Sequence, residues 1–203
     1  MLGQATAVVG EASMGEAHLW TWKDIMHLPE TEQPEIIDGK PYARATPRST
    51  HGRVVGELYA QVRHANGPSV RDGWWISIDP SVRLGPHTIV GPDLAGWRKS
   101  RLPELPEDWP LDVRPDWVCE VLSPGTARYD RKTKAALYAM AGIPWYWLVD
   151  PAERLVEVLE LDGDRWRIHG CFDEDQRLPL SPFGELEVVV GELFLPRRLP
   201  AGG

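Results

Sequence analysis

A glutamate interrupts the apolar run Trp117-Val118-Cys119-Glu120-Val121-Leu122, and no other feature narrows the possible folds as far. A run without polar alternation reads as a strand buried on both faces, the position of a central strand in a mixed or parallel sheet. A carboxylate there is costly unless a cation or several hydrogen bonds compensate it. A metal ion and a lysine are the obvious compensators, and the chain offers candidates for both. Pro92-Asp93 lies upstream at the start of another apolar segment, and Asp130-Arg131-Lys132-Thr133-Lys134 opens a helix downstream.

The remaining pattern supplies a sheet for that strand. Thr21-Trp22-Lys23-Asp24 is an N-cap and first turn for a short helix ending at Leu28-Pro29. Glu35-Ile36-Ile37-Asp38-Gly39-Lys40 predicts strand, turn, strand, because Asp-Gly favours a two-residue hairpin. Ser49-Thr50 caps a helix over 50–65 with Val54, Val55, Leu58, Tyr59 and Val62 on one stripe. Residues 74–78 and 81–84 read as strands around Asp79-Pro80, and 90–97 as a strand carrying Asp93. The proline-rich stretch 99–115 reads as a surface loop. A helix over 127–141 ends at Gly142, with Pro144 beyond it. Residues 145–150 form a strand, 154–161 and 165–171 pair across Asp162-Gly163, and 186–190 form a last strand. This order indicates an α/β fold, a mixed β-sheet flanked by helices.

Length and charge set limits on the partners. At 203 residues and 22.8 kDa the chain suits one domain with a full core: 1–19 as a disordered leader, 20–195 as the domain and 196–203 as a tail. A net charge of −8 argues against a constitutive nucleic-acid-binding module, since such proteins neutralise phosphates with Lys and Arg. Any affinity for DNA must come from a local patch, bound metal or a partner. Cys119 and Cys171 give neither a disulfide framework nor zinc-ligand spacing, and a reducing cytoplasm is the expected compartment. The first residues show no basic stretch followed by an apolar one, and no run of 18 apolar residues occurs, so neither a signal peptide nor a membrane span is expected.

Helical geometry sharpens the reading of Lys134. At about 100° per residue, Asp130, Lys134, Leu137, Tyr138 and Ala141 share one face and Lys132 lies opposite. Lys134 then points with the buried stripe, one turn into the helix, where it can return to the end of the Glu120 strand. The plainer alternative is a surface pair between Asp130 and Lys134 at i, i+4. Asp93 could equally cap a turn after its proline. An Asp, a Glu and a Lys in that order are nevertheless the residue types of a metal-dependent phosphodiesterase site. Mg²⁺ takes one or two carboxylates plus waters and phosphate oxygens, and a lysine can orient the nucleophile.

The segment 115–151 strongly resembles the putative restriction endonuclease family known as Uma two, within the PD-(D/E)XK nuclease superfamily. Supporting matches are Ile36-Ile37-Asp38-Gly39, the Pro-Arg-Ser-Thr-His run ending at His51, and Val90-Gly91-Pro92-Asp93; the resemblance spans residues 20–195. It implies a restriction-endonuclease-like fold and a site for Mg²⁺ or Mn²⁺, with Asp93 as the motif's Asp and Glu120 as its second acidic residue. In the superfamily pattern the lysine stands two residues after that glutamate, a position held here by Leu122. The family pattern moves it to the following helix, which makes it Lys134.

Four further residues come under consideration. His51 lies in the first turn of its helix on the buried stripe, and its match to the family suggests a role beside the metal or the scissile phosphate. Glu57 points away from that stripe and reads as solvated. Asp38 fits the hairpin turn better than the site. Tyr138, one turn beyond Lys134, is expected to pack above the site. The pairs Trp74-Trp75 and Trp145-Tyr146-Trp147 read as core or subunit interface rather than as base-stacking platforms. The expectation is a Mg²⁺- or Mn²⁺-dependent DNA endonuclease acting as a homodimer through its tryptophan-rich strands. Its rivals are a catalytically silent relative serving as a scaffold, and a metal-free hydrolase using Asp93 and Glu120 as acid and base.

Overall fold

Burial of a strand on both faces needs a neighbour on each edge and a layer over each face. The computed structural model describes residues 18–44, 49–63, 73–179, 181–184 and 186–196. The expected leader up to residue 17, Pro47-Arg48, Ala65 at the expected end of the first long helix, and the tail from residue 197 lie outside the described residues.

In chain order the elements begin with α1 (Trp22–Ile25), β1 (Glu35–Ile37), β2 (Lys40–Tyr42) and α2 (Ser49–Val62). Next come β3 (Trp74–Ile78), β4 (Val82–Gly85), β5 (Thr88–Val90), β6 (Leu94–Arg98) and β7 (Trp117–Val121). One continuous helical stretch follows, made of α3 (Ala127–Tyr129), a π-helical turn (Asp130–Lys134) and α4 (Ala135–Met140). The chain then forms β8 (Trp145–Asp150), β9 (Leu155–Asp162), β10 (Arg165–Asp173), β11 (Arg177–Pro179) and β12 (Glu187–Val189). A six-stranded sheet runs β10-β9-β8-β7-β6-β3, and a four-stranded antiparallel sheet runs β2-β1-β5-β4. Strand β7 is therefore central, as its composition demands. It pairs in parallel with β8 and antiparallel with β6, and the helical stretch supplies the crossover that a parallel pair requires.

Each face of β7 meets a different layer. Trp117, Cys119 and Val121 join Trp147, Val149, Val158 and the α2 stripe of Val54, Val55, Leu58 and Val62. Val118 and Leu122 join Tyr146, Leu148, Ala135 and Tyr138 on the other side. The alternation expected of residues 145–147 is present, with Trp147 in the first core and Tyr146 in the second. Glu120, in phase with Val118, projects toward α4.

Several local expectations are met for the reasons given. Asp38 and Gly39 both have positive φ (49° and 75°), as the hairpin turn between β1 and β2 needs. Gly142, at φ 68°, terminates the helical stretch. Among the described residues no helix is long and apolar enough to cross a membrane.

Other expectations are corrected. Residues 90–97 are not one strand. The chain breaks at Gly91-Pro92-Asp93, and β5 and β6 belong to different sheets. Both strands are interior to their sheets, where proline has no N–H for the ladder, unlike Pro41 in the edge strand β2. The β9–β10 turn is Gly163-Asp164, since Asp162 already pairs with Arg165. The last strand is shorter than 186–190 and pairs with β11, a three-residue strand whose sequence carries no alternation signal. In the tryptophan-rich strands, Trp74 and Trp147 are buried in the core, while Trp75 and Trp145 are only partly buried.

Candidate active site

The carboxylate of Glu120, only 2% exposed, is met from α4 and the π turn. Lys134 Nζ donates to Glu120 Oε1 at 2.9 Å, and the Tyr138 hydroxyl donates to the same oxygen at 2.6 Å. Spacing explains the convergence, because residues four apart on a helix lie one above the other. The Asp130–Lys134 surface pair is not formed. Asp130 is itself buried, and its carboxylate is hydrogen-bonded to the Thr126 side chain.

Lys134 has further partners. Its ammonium donates to the Gly91 carbonyl at 3.1 Å and lies 3.1 Å from Glu35 Oε1. Glu35 is buried at the start of β1, where Oε1 also accepts the Gly91 N–H at 2.8 Å and Oε2 accepts the Tyr129 hydroxyl at 2.8 Å. Sequence reasoning missed Glu35 and Tyr129. The one available signal was an acidic residue opening a strand that is otherwise Ile36-Ile37, with no solvated face for it.

Asp93 reaches the cluster through the sheet. Leu94 pairs with Cys119, so continuing the β6–β7 register would set Asp93 opposite Glu120 and Pro92 opposite Val121. The proline ends the ladder, and the Asp93 side chain takes over: Oδ2 accepts the Val121 N–H at 2.6 Å. The same oxygen lies 3.1 Å from His51 Nε2. His51 projects from the first turn of α2, so both core layers contribute to the site. The hydrogen bond to Asp93, reinforced by the charges of Asp93 and Asp130, raises the imidazole pKa against the opposing effect of burial.

The cluster carries excess negative charge. Glu35, Asp93, Glu120 and Asp130 all act on Lys134, and together they outweigh the burial that would otherwise lower its pKa. Lys134 is therefore a firm ammonium. Burial pushes Glu120 well above the usual carboxylate range despite Lys134, and pushes Asp130 up to about 6. Four carboxylates thus face one lysine and one histidine.

This donor set fits a hard divalent cation. Glu120 Oε1 is engaged by Lys134 and Tyr138, and Asp93 Oδ2 by Val121 and His51. Glu120 Oε2 and Asp93 Oδ1 have no hydrogen-bond partner among the described residues. Two oxygens from carboxylates, completed by water and phosphate oxygens, are what Mg²⁺ accepts. No group of three or more His, Cys, Asp or Glu side chains arranged to hold a metal occurs among the described residues. Two other candidates stay outside. Asp38 is exposed at its turn, and Glu57 forms a partly exposed i, i+4 pair with Arg53 at 3.0 Å.

Comparison with known proteins agrees with this architecture. A crystal structure of a putative nuclease from Anabaena variabilis superposes with a TM-score of 0.68 at 24% identity, covering 86% of this chain and 97% of that one. The fold is restriction-endonuclease-like, a mixed sheet flanked by helices. No curated protein matches the chain. The model of the Uma2 family, described as putative restriction endonuclease, matches residues 22–191. With that match spanning most of its length, and with Asp93, Glu120 and Lys134 gathered at one end of the central strand, the chain belongs to the Uma2 putative restriction endonuclease family.

Proposed function

We propose that the chain is a Mg²⁺- or Mn²⁺-dependent endonuclease that hydrolyses DNA phosphodiester bonds. The observation that carries this reading is the surplus of buried carboxylates over cations, with one oxygen each on Asp93 and Glu120 left without a protein partner. A divalent ion held by these two residues would supply positive charge at the phosphate and make water more acidic. His51 and the Val121 N–H fix Asp93 through Oδ2, which leaves Oδ1 for the ion. Tyr138 and Lys134 fix Glu120 through Oε1 in the same way. Lys134, held as an ammonium, acts by donating hydrogen bonds and positive charge, orienting the attacking water rather than deprotonating it. A homodimer belongs to the same reading, because cutting both strands needs two sites.

The test is calorimetric titration of Mn²⁺ into the wild type, Glu120→Ala and Asp93→Ala, beside cleavage of supercoiled DNA. Saturable binding should disappear in both variants. Lys134→Ala should still bind metal yet cleave at least about 100-fold more slowly, as for loss of a preorganised donor. Unaltered cleavage by Glu120→Ala would sink the mechanism. The net charge of −8 favours one rival, a silent scaffold retaining the fold, and absence of Mn²⁺ binding in the wild type would decide for it.

A further inference from the structure

Glu35 stands apart from the other carboxylates of the cluster. Asp93 and Glu120 each keep one oxygen without a partner, whereas both oxygens of Glu35 are committed: Oε1 to the Gly91 N–H and Lys134, Oε2 to the Tyr129 hydroxyl. A carboxylate so engaged is poorly placed to ligate an ion and well placed to hold an ammonium. The Lys134 ammonium lies almost midway between two carboxylates, 2.9 Å from Glu120 and 3.1 Å from Glu35, with the Gly91 carbonyl as a third acceptor.

That arrangement bears on a conflict within the site. A divalent ion and an ammonium compete for the same glutamate, and in a buried cluster neither cation is shielded by water. We propose that Glu35 is a positioning residue, the second seat of the Lys134 ammonium. When Glu120 takes a divalent ion, Glu35 and Gly91 retain the lysine beside the site, so metal and lysine can occupy it together. Tyr129 and the Gly91 N–H hold Glu35 in place for that purpose, and Gly91 ties the arrangement directly to Asp93 two residues on. This inference rests on the metal-site reading above and adds a residue that touches neither metal nor substrate.

Calorimetric titration of Mn²⁺ tests it in wild type, Glu35→Gln, Glu35→Asp, Lys134→Met and Glu35→Gln/Lys134→Met, each first checked for a cooperative thermal transition. Glu35→Gln should weaken Mn²⁺ binding by about tenfold or more, because the ammonium then stays on Glu120. In the Lys134→Met background the same substitution should change affinity by less than about threefold, since no ammonium is left to seat. Equal weakening in both backgrounds would mean a plain through-space charge effect and would overturn the proposal. Should Lys134→Met not fold, Glu35→Asp makes the distinction: it keeps the charge but withdraws it from Lys134. Loss of affinity resembling Glu35→Gln supports the seat, and wild-type affinity refutes it. No Mn²⁺ binding by the wild type would remove the metal reading and this inference with it. Full affinity in Glu35→Gln would remove the role of Glu35 alone.

Discussion

On one face of β7, Trp117, Cys119 and Val121 are buried against Trp147, Phe183 and the α2 stripe. On the other, Glu120 is buried as completely against Lys134 and Tyr138. The apolar face is held by area and by edge-to-face rings, Trp117 to Trp147 at 5.3 Å and Trp117 to Phe183 at 4.9 Å. Its stability has no reason to vary with pH or divalent ions. The charged face is held by a few short hydrogen bonds among groups that burial disfavours, and it responds to both. A single strand thus separates a face held by apolar packing from a face held by hydrogen-bonded charges.

The contrast can be broken most severely from the apolar side. Trp147→Ala empties the centre of the aromatic cluster and should cost about 3–5 kcal/mol in denaturant unfolding, by the same amount at pH 5 and pH 8. Lys134→Met attacks the other face and should cost less, about 2 kcal/mol at pH 7, because the carboxylates it strands can take up protons. Sign matters here: stranded carboxyls have folded pKa values above their unfolded ones, so the deficit should shrink as pH falls. Unfolding at pH 5 and pH 8 measures this, and a deficit independent of pH would show that Lys134 matters only as packing.

Asp130 sharpens the comparison by going the other way. Burial raises its carboxyl from 3.8 to about 6, so the folded protein binds more protons than the unfolded chain between those values. Its stabilising contribution is complete below the lower value and is lost as pH rises through the higher one. Asp130→Asn should therefore stabilise by about 1–2 kcal/mol at pH 8, with the gain vanishing below about pH 4. Smallest of all, Arg53→Ala removes the partly exposed pair with Glu57 and should shift stability by less than about 0.5 kcal/mol.

How far the sequence could be read follows from the range of each interaction. Glu120 announced itself because six residues of context made its burial a problem. Lys134 and Tyr138 followed from helical spacing, and the Asp38-Gly39 turn from local dihedral demands. Glu35 was hidden because its partners lie 56 to 99 residues away, and its own neighbourhood looks like an ordinary strand. The break at Pro92 was misread for a related reason. The segments on either side of Gly91-Pro92-Asp93 are apolar, and only the pairing of β5 and β6 with different sheets separates them. The sequence leaves a surface pair between Asp130 and Lys134 open as an alternative, because spacing gives a direction and not a depth.

The π-helical turn at Asp130–Lys134 has a bearing on how relatives are recognised. Such a turn lodges one residue more in a helix than an α-helical path over the same span needs. The interval along the chain from Glu120 to Lys134 is accordingly not a fixed spacing. A relative closing the same crossover with an unbroken α-helix would bring its lysine to this place one residue sooner. A motif written with a rigid gap between strand glutamate and helix lysine would pass over that relative or score the wrong side chain, whereas one allowing a single-residue slip would find it.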